Sequence, residues 1–192
     1  MTYASFRPAA IAALALIAGG VTSAQSPSAP ATASSTDRRF VQEAGAGSAA
    51  EVALGKLATQ KASRDEVKQL GQQMVEDHSK SGDELKQVAG AKGMTAPDAP
   101  TPAQQKAAEQ ITQRSGAAFD KSFLNQMALD HKKTIALFRR ESRSGSDPDL
   151  KAFATKMLPT LEEHLKMVRS LQTKGGPTNR AINERTAASA PH

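Results

Sequence analysis

The stretch SRDEVKQLGQQMVEDHSKSGDELKQV, residues 63–88, reads as one amphipathic helix. Val67, Leu70, Met74, His78, Leu85 and Val88 recur at spacings of three, four, four, seven and three. That is the period of a single helix face turned toward a core. Ser63 stands at the N-cap position, and Glu66 three residues later completes a capping-box pattern. The helix should end near Gly90 to Gly93. A histidine on an otherwise aliphatic and thioether stripe is the one chemical anomaly in it.

Part of this stretch is echoed downstream. Gln73–Lys80 (QMVEDHSK) and Gln126–Lys133 (QMALDHKK) share the pattern Q-M-x-x-D-H-x-K. The same offset maps Leu70 onto Phe123 and Leu85 onto Phe138. A second long helix is therefore expected over Ala117–Ser144, with Phe119, Phe123, Met127, His131, Ile135 and Phe138 inward and Asp120 outward. Upstream, a helix over Asp37–Lys61 carries Phe40, Ala44, Gly47, Leu54 and Ala58 on one line, and Glu51 falls on that line. Downstream, Asp147 caps and Pro148 opens a last helix. Its line is Leu150, Phe153, Met157, Leu161, His164, Val168 and Leu171. Pro159 inside it removes a backbone donor and should kink it. Between the second and third long helices lie a turn-rich segment, 94–101 (MTAPDAPT), and a short helix over Pro102–Gln113 capped by Thr101. Four long helices with two tight turns and one long connection make an all-α, ferritin-like four-helix bundle, with the longer connection between helices 2 and 3. This leaves open whether the third long helix runs with or against the second.

Composition agrees. Good helix formers dominate, and no run of alternating Val, Ile and Thr suggests a sheet. Arg7, the apolar run Ala9–Ala18 and Thr22-Ser23-Ala24 read as a secretory signal over residues 1–24. Residues 25–36 are a Ser/Pro/Ala linker, 37–174 the bundle domain and 175–192 a polar tail, with linker and tail expected to be disordered. The expected location is periplasmic or envelope-associated, soluble after signal cleavage. The chain has no cysteine, which excludes disulfides, thiolate metal sites and thiol nucleophiles. Net charge is +6, but the Lys and Arg residues are scattered over helix faces, so nucleic acid is not an expected partner. A solvated surface is the favoured reading of the charge, with contact to an envelope protein or an anionic membrane surface as the alternative.

Beyond these patterns, FVQEAGAGSAAEVALGKLATQKA, QMVEDHSK, SGAAFDKSFL, QMALDHKK and LPTLEEHLKMVRSL occur in an order that resembles a bacterial domain-of-unknown-function family. Its members are exported, ferritin-like helical proteins, often labelled predicted outer membrane proteins. The resemblance covers about Arg39 to Leu171. It implies a ferritin-like bundle and an envelope location, and no settled activity.

Candidate chemistry rests on four residues. Glu51, His78, His131 and His164 each lie on the inward line of a different helix, and bundle cores build metal sites from facing side chains. Imidazole and carboxylate together suit Zn, Cu or Fe. Met74 and Met127 precede their histidines by one turn, and a thioether contribution would favour Cu(I). The plainer readings are that the methionines fill the core and that the histidines bond to polar neighbours. Measured from turns near residues 63 and 146, taken as lying at one end, the three histidines spread over ~4.5 Å and all four groups over ~9 Å. Asp77 and Asp130, beside histidines in the chain, are expected to pair with Lys80 and Lys133. The Glu-x-x-His pairs of a di-iron centre are missing, because Val75, Ala128 and Leu161 stand three residues before the histidines. No hydrolase, P-loop, dinucleotide-binding or zinc-protease motif occurs, so no catalytic residue is assigned. Three readings follow, in order: a non-enzymatic envelope protein with a structural, stress-related or interaction role; a transition-metal-binding protein; and last, because the di-iron spacing is missing, a metal-dependent oxidoreductase.

Overall fold

The computed structural model of the chain describes residues 33–174, and those residues form five helices and no strand. They are α1 (Ser35–Lys61), α2 (Asp65–Gly90), α3 (Pro102–Thr112), α4 (Gly116–Ser144) and α5 (Pro148–Lys174). The signal expected at 1–24, most of the linker and the tail from 175 lie outside the described residues. α1 opens at Ser35, inside the stretch expected to be linker. The cause is local: the Ser34 hydroxyl accepts from the Asp37 N–H and Asp37 accepts from the Ser34 N–H, a reciprocal cap. Thr101 caps α3 in the same way with Gln104. The Asp147 carboxylate accepts from the Asp149 and Leu150 N–H groups at the start of α5. α5 continues as helix through Pro159.

The start of α2 departs from the sequence reading. Ser63 does not cap it. Arg64 is the N-cap residue and no side chain caps the helix. The Ser63 N–H and hydroxyl instead donate to Asp120, as does the Arg64 N–H. Asp120 is therefore buried and faces inward, not outward. Three donors at a tight turn outweigh the solvation that an exposed carboxylate would have.

Tight turns join α1 to α2 and α4 to α5. α1 packs on α2 and α4, and α5 packs on α2 and α4. Contacts at the ends fix the directions. Asp37, at the start of α1, accepts from the Ser146 and Asp147 N–H groups of the α4–α5 turn. Asp120, at the start of α4, holds the α1–α2 turn, and Arg64 donates to the Leu171 carbonyl near the end of α5. Every adjacent pair is thus antiparallel, and the diagonal helices α2 and α4 run parallel. The two turns lie at opposite ends of the bundle, so measuring all four heights from one end does not hold. The 91–115 connection carries the chain back along the bundle. Its helix α3 buries Ile111 and lies against α1 and α4, where Lys61 donates to the Thr112 carbonyl.

Phe40, Phe138 and Phe153 pack at one level of the core, with ring centroids 4.9 to 6.2 Å apart. Phe119 and Phe123 stack at another level. Gly55 and Gly71 let α1 and α2 touch by their backbones: a Cβ on Gly55 would lie 2.7 Å from the Gly71 carbonyl oxygen. Gly47 and Val88, expected on core lines, are only partly buried; Ala89 takes the inward place beside Val88.

Candidate metal centre

Each long helix sends one polar side chain to the bundle interior. α1 supplies Glu51, α2 His78, α4 His131 and α5 His164. Their exposures are 2%, 6%, 0% and 1%, so water solvates none of them appreciably. The three imidazole centroids lie 5.4 to 5.6 Å apart. One nitrogen from each ring lies within 4.8 Å of the others. That spread slightly exceeds the ~4 Å between two nitrogens on opposite sides of one ion. Binding by all three rings would draw them together a little. Parallel α2 and α4 explain why His78 and His131 meet: equal positions in the repeated pattern give equal heights.

The hydrogen bonds fix which ring atoms face the centre. His131 Nδ1 lies 3.0 Å from the Met127 carbonyl oxygen, which can only accept, so Nδ1 carries the proton. His164 Nε2 lies 2.9 Å from Asp77 Oδ2 and donates to that carboxylate. In neutral rings, His131 Nε2 and His164 Nδ1 are then both acceptors, and they face each other at 3.3 Å. Glu51 Oε2 adds a third acceptor, 3.3 Å from His131 Nε2 and 3.1 Å from His78 Nε2. The Glu51–His78 contact is close but lacks hydrogen-bond geometry, which leaves both atoms buried without a hydrogen-bond partner. Converging lone pairs in a dry core repel one another, and a cation between them relieves this. A proton or a metal ion can be that cation.

The titration tendencies reflect the crowding. Burial alone would raise the Glu51 pKa, but the charges of His78 and His131 outweigh it and hold it below the ordinary carboxylate value. Burial disfavours a charged His78, yet Glu51 beside it raises its pKa above the usual imidazole value. Burial lowers the pKa of His164, and the Asp77 bond offsets this only in part. Asp77 itself is lowered, because hydrogen bonds from Gln73 and His164 outweigh its burial.

Asp77 is the residue that the sequence reading missed. Lys80 pairs with Glu76, not with Asp77. Asp77 does not orient its neighbour His78; it reaches across to His164 on α5. Asp130 accepts from Gln126 instead of pairing with Lys133. No spacing rule links Asp77 to a residue 87 positions away, so only the packing of α2 on α5 reveals the bond. Met74 and Met127 are fully buried in the hydrophobic core, and Met127 supplies the carbonyl that holds His131.

Fold and site together define an all-α bundle with a buried cluster of three imidazoles and one carboxylate at its core. The chain belongs to the DUF4142 family, described as a domain of unknown function, whose model matches residues 22–171. No curated protein sequence matches it. Among solved structures it is similar to CopM in the Cu(II)-bound form, at TM-score 0.60 and 14% identity, covering 72% of this chain and 95% of that one. CopM in the Ag-bound form matches at TM-score 0.60 and 15% identity, over 71% and 95%. A DUF305 fragment from Deinococcus radiodurans matches at TM-score 0.65 and 13% identity, over 74% and 98%. At these identities the likeness is one of fold. Among the described residues, no helix is long and apolar enough to cross a membrane.

Proposed function

We propose that the bundle core binds a transition-metal ion through His78, His131 and His164, with Glu51 as the carboxylate. The observation that carries this reading is the convergence of one nitrogen from each imidazole within 4.8 Å, with Glu51 Oε2 3.1 Å from His78 Nε2 and 3.3 Å from His131 Nε2. Three nitrogens and one oxygen suit Zn(II), Cu(II) or Fe(II), and Met74 or Met127 would add affinity for Cu(I). Similar bundles that carry Cu and Ag support a soft or borderline ion. The chain would act as a non-enzymatic metal-binding protein of the cell envelope. Calorimetric titration of the metal-free protein with Zn(II), Cu(II), Cu(I) and Fe(II) tests this. One ion should bind, and His78→Ala, His131→Ala or His164→Ala should each abolish binding. Binding weaker than about 10 μM, or binding that survives all three substitutions, would sink the proposal.

A second reading is favoured by one specific feature. His131 and His164 each already have a hydrogen-bond partner, Met127 and Asp77. A protonated cluster could therefore serve a structural or interaction role in the envelope by fixing how the four helices pack, with no ion bound. Both readings place the chain outside the cytoplasm. Mass spectrometry of protein from its native host should then find a mature chain starting at or near Gln25; molecules that keep Met1 would contradict export.

A further inference from the structure

A buried site needs a way in, and two hollows touch this one. The first is a small hollow of about 20 Å³, lined by Ser48, Glu51, His78, Ser81 and Thr134 among others. That is room for about one water molecule. The second is a cleft of about 220 Å³ between α1, α3 and α4, with Glu43, Gly47, Glu51, Asp130, Lys133 and Thr134 in its walls. Gly47, Glu51 and Thr134 line both hollows, so one wall separates the cleft from the cluster.

Two features of that wall point the same way. A Cβ built on Gly47 would meet nothing within 4 Å, in contrast to Gly55 and Gly71, whose missing side chains are replaced by a neighbouring helix. The space beside Gly47 is thus left empty. The wall also carries carboxylates: Asp130 and the buried Glu51 stand against Lys133, while Glu43 is paired with Arg39 at 2.6 Å. Glu51 is buried, and its Oε2 has no hydrogen-bond partner. A carboxylate at the inner end of a cleft draws a cation toward it.

We propose that the α1–α3–α4 cleft is the portal through which a metal cation reaches Glu51, kept open by the absent side chain of Gly47, with Asp130 in its wall and Glu51 at its inner end to attract the cation. Glu51 receives the ion at the inner end, and the histidines complete its coordination. This inference rests on the metal-binding reading, and rate and affinity separate the two.

The experiment is stopped-flow mixing of the full chain with Cu(II), followed by the ion's ligand-field absorbance, alongside equilibrium titration. Gly47→Leu places a side chain in open space and raises helix propensity, so the fold should stand. Association and dissociation should both slow about tenfold or more, with equilibrium affinity unchanged. Thr134→Leu narrows the same wall from α4 and should also slow both rates. Gly90→Leu, exposed at the far end of α2, should change neither. Unaltered rates in folded Gly47→Leu and Thr134→Leu would overturn the portal and direct attention to the partly exposed Asp77 side. Equal slowing by Gly90→Leu would overturn it too. A wild-type chain that binds none of Zn(II), Cu(II), Cu(I) or Fe(II) at equilibrium would overturn the metal reading, and the portal with it.

Discussion

Glu141 shows how much one buried residue can weigh. It is 1% exposed on α4, and as an ionised carboxylate it has no hydrogen-bond partner. Protonated, it can donate to Asp37, which already accepts from three backbone N–H groups. Burial first, then the Asp37 bond and the charges of Asp37 and Asp147, push Glu141 up to about 7. Between 4.5, the ordinary value for a glutamate, and about 7, the folded protein then holds a proton that the unfolded chain has lost. Stability should therefore fall as pH rises through that window, by on the order of 3 kcal/mol in all. Glu141→Gln removes the ionisation. Denaturant midpoints should show the variant matching wild type near pH 4 and exceeding it near pH 8. A variant less stable than wild type near pH 8 would refute the assignment. The histidines are common to both proteins, so their titration cancels in the comparison.

At the scale of the helix, an end is decided by its neighbours as much as by its own residues. The Ser63 and Glu66 spacing suits a capping box, yet Ser63 is taken by Asp120 on α4. Asp120 accepts from both Ser63 donors and the Arg64 N–H at once, and its burial makes those hydrogen bonds count. Asp120→Ala would strand the Ser63 and Arg64 N–H groups at the start of α2. It should cost about 1–3 kcal/mol, measured by urea unfolding. Phe123→Ala, one helical turn on and fully buried, should cost more, about 3–5 kcal/mol. A negligible loss for Asp120→Ala would mean that the turn is held by other contacts.

For the whole molecule, metal and proton compete for one point in the core. Glu51 raises the His78 pKa above its ordinary value, so the metal-free fold gains from a charged His78–Glu51 pair. That gain is fully present below the unfolded imidazole pKa and is lost as pH rises through the raised folded value. Metal needs the neutral rings, so its stabilisation should grow in the opposite direction. At a free ion concentration one hundred times Kd, about 2.7 kcal/mol is expected, roughly 5–10 °C in melting temperature. Calorimetric scans should show that rise near pH 8 and little of it near pH 5. An equal rise at both values would place the ion away from the histidines.

The sequence alone determined the helices and most of their inward residues, the four polar groups among them, because a 3.6-residue period is a property of neighbouring residues in the chain. It brought Glu51, His78, His131 and His164 forward for the same reason: each interrupts an apolar stripe. It could not show that the α1–α2 and α4–α5 turns lie at opposite ends, that Asp120 faces inward, or that Asp77 holds His164. Those depend on which helix packs beside which, and in what direction. The repeated Q-M-x-x-D-H-x-K pattern becomes a single cluster only because the long connection carries the chain back, making α2 and α4 parallel. Ring orientation and tautomer were decided later still, by a carbonyl one turn away on α4 and a carboxylate from the facing helix.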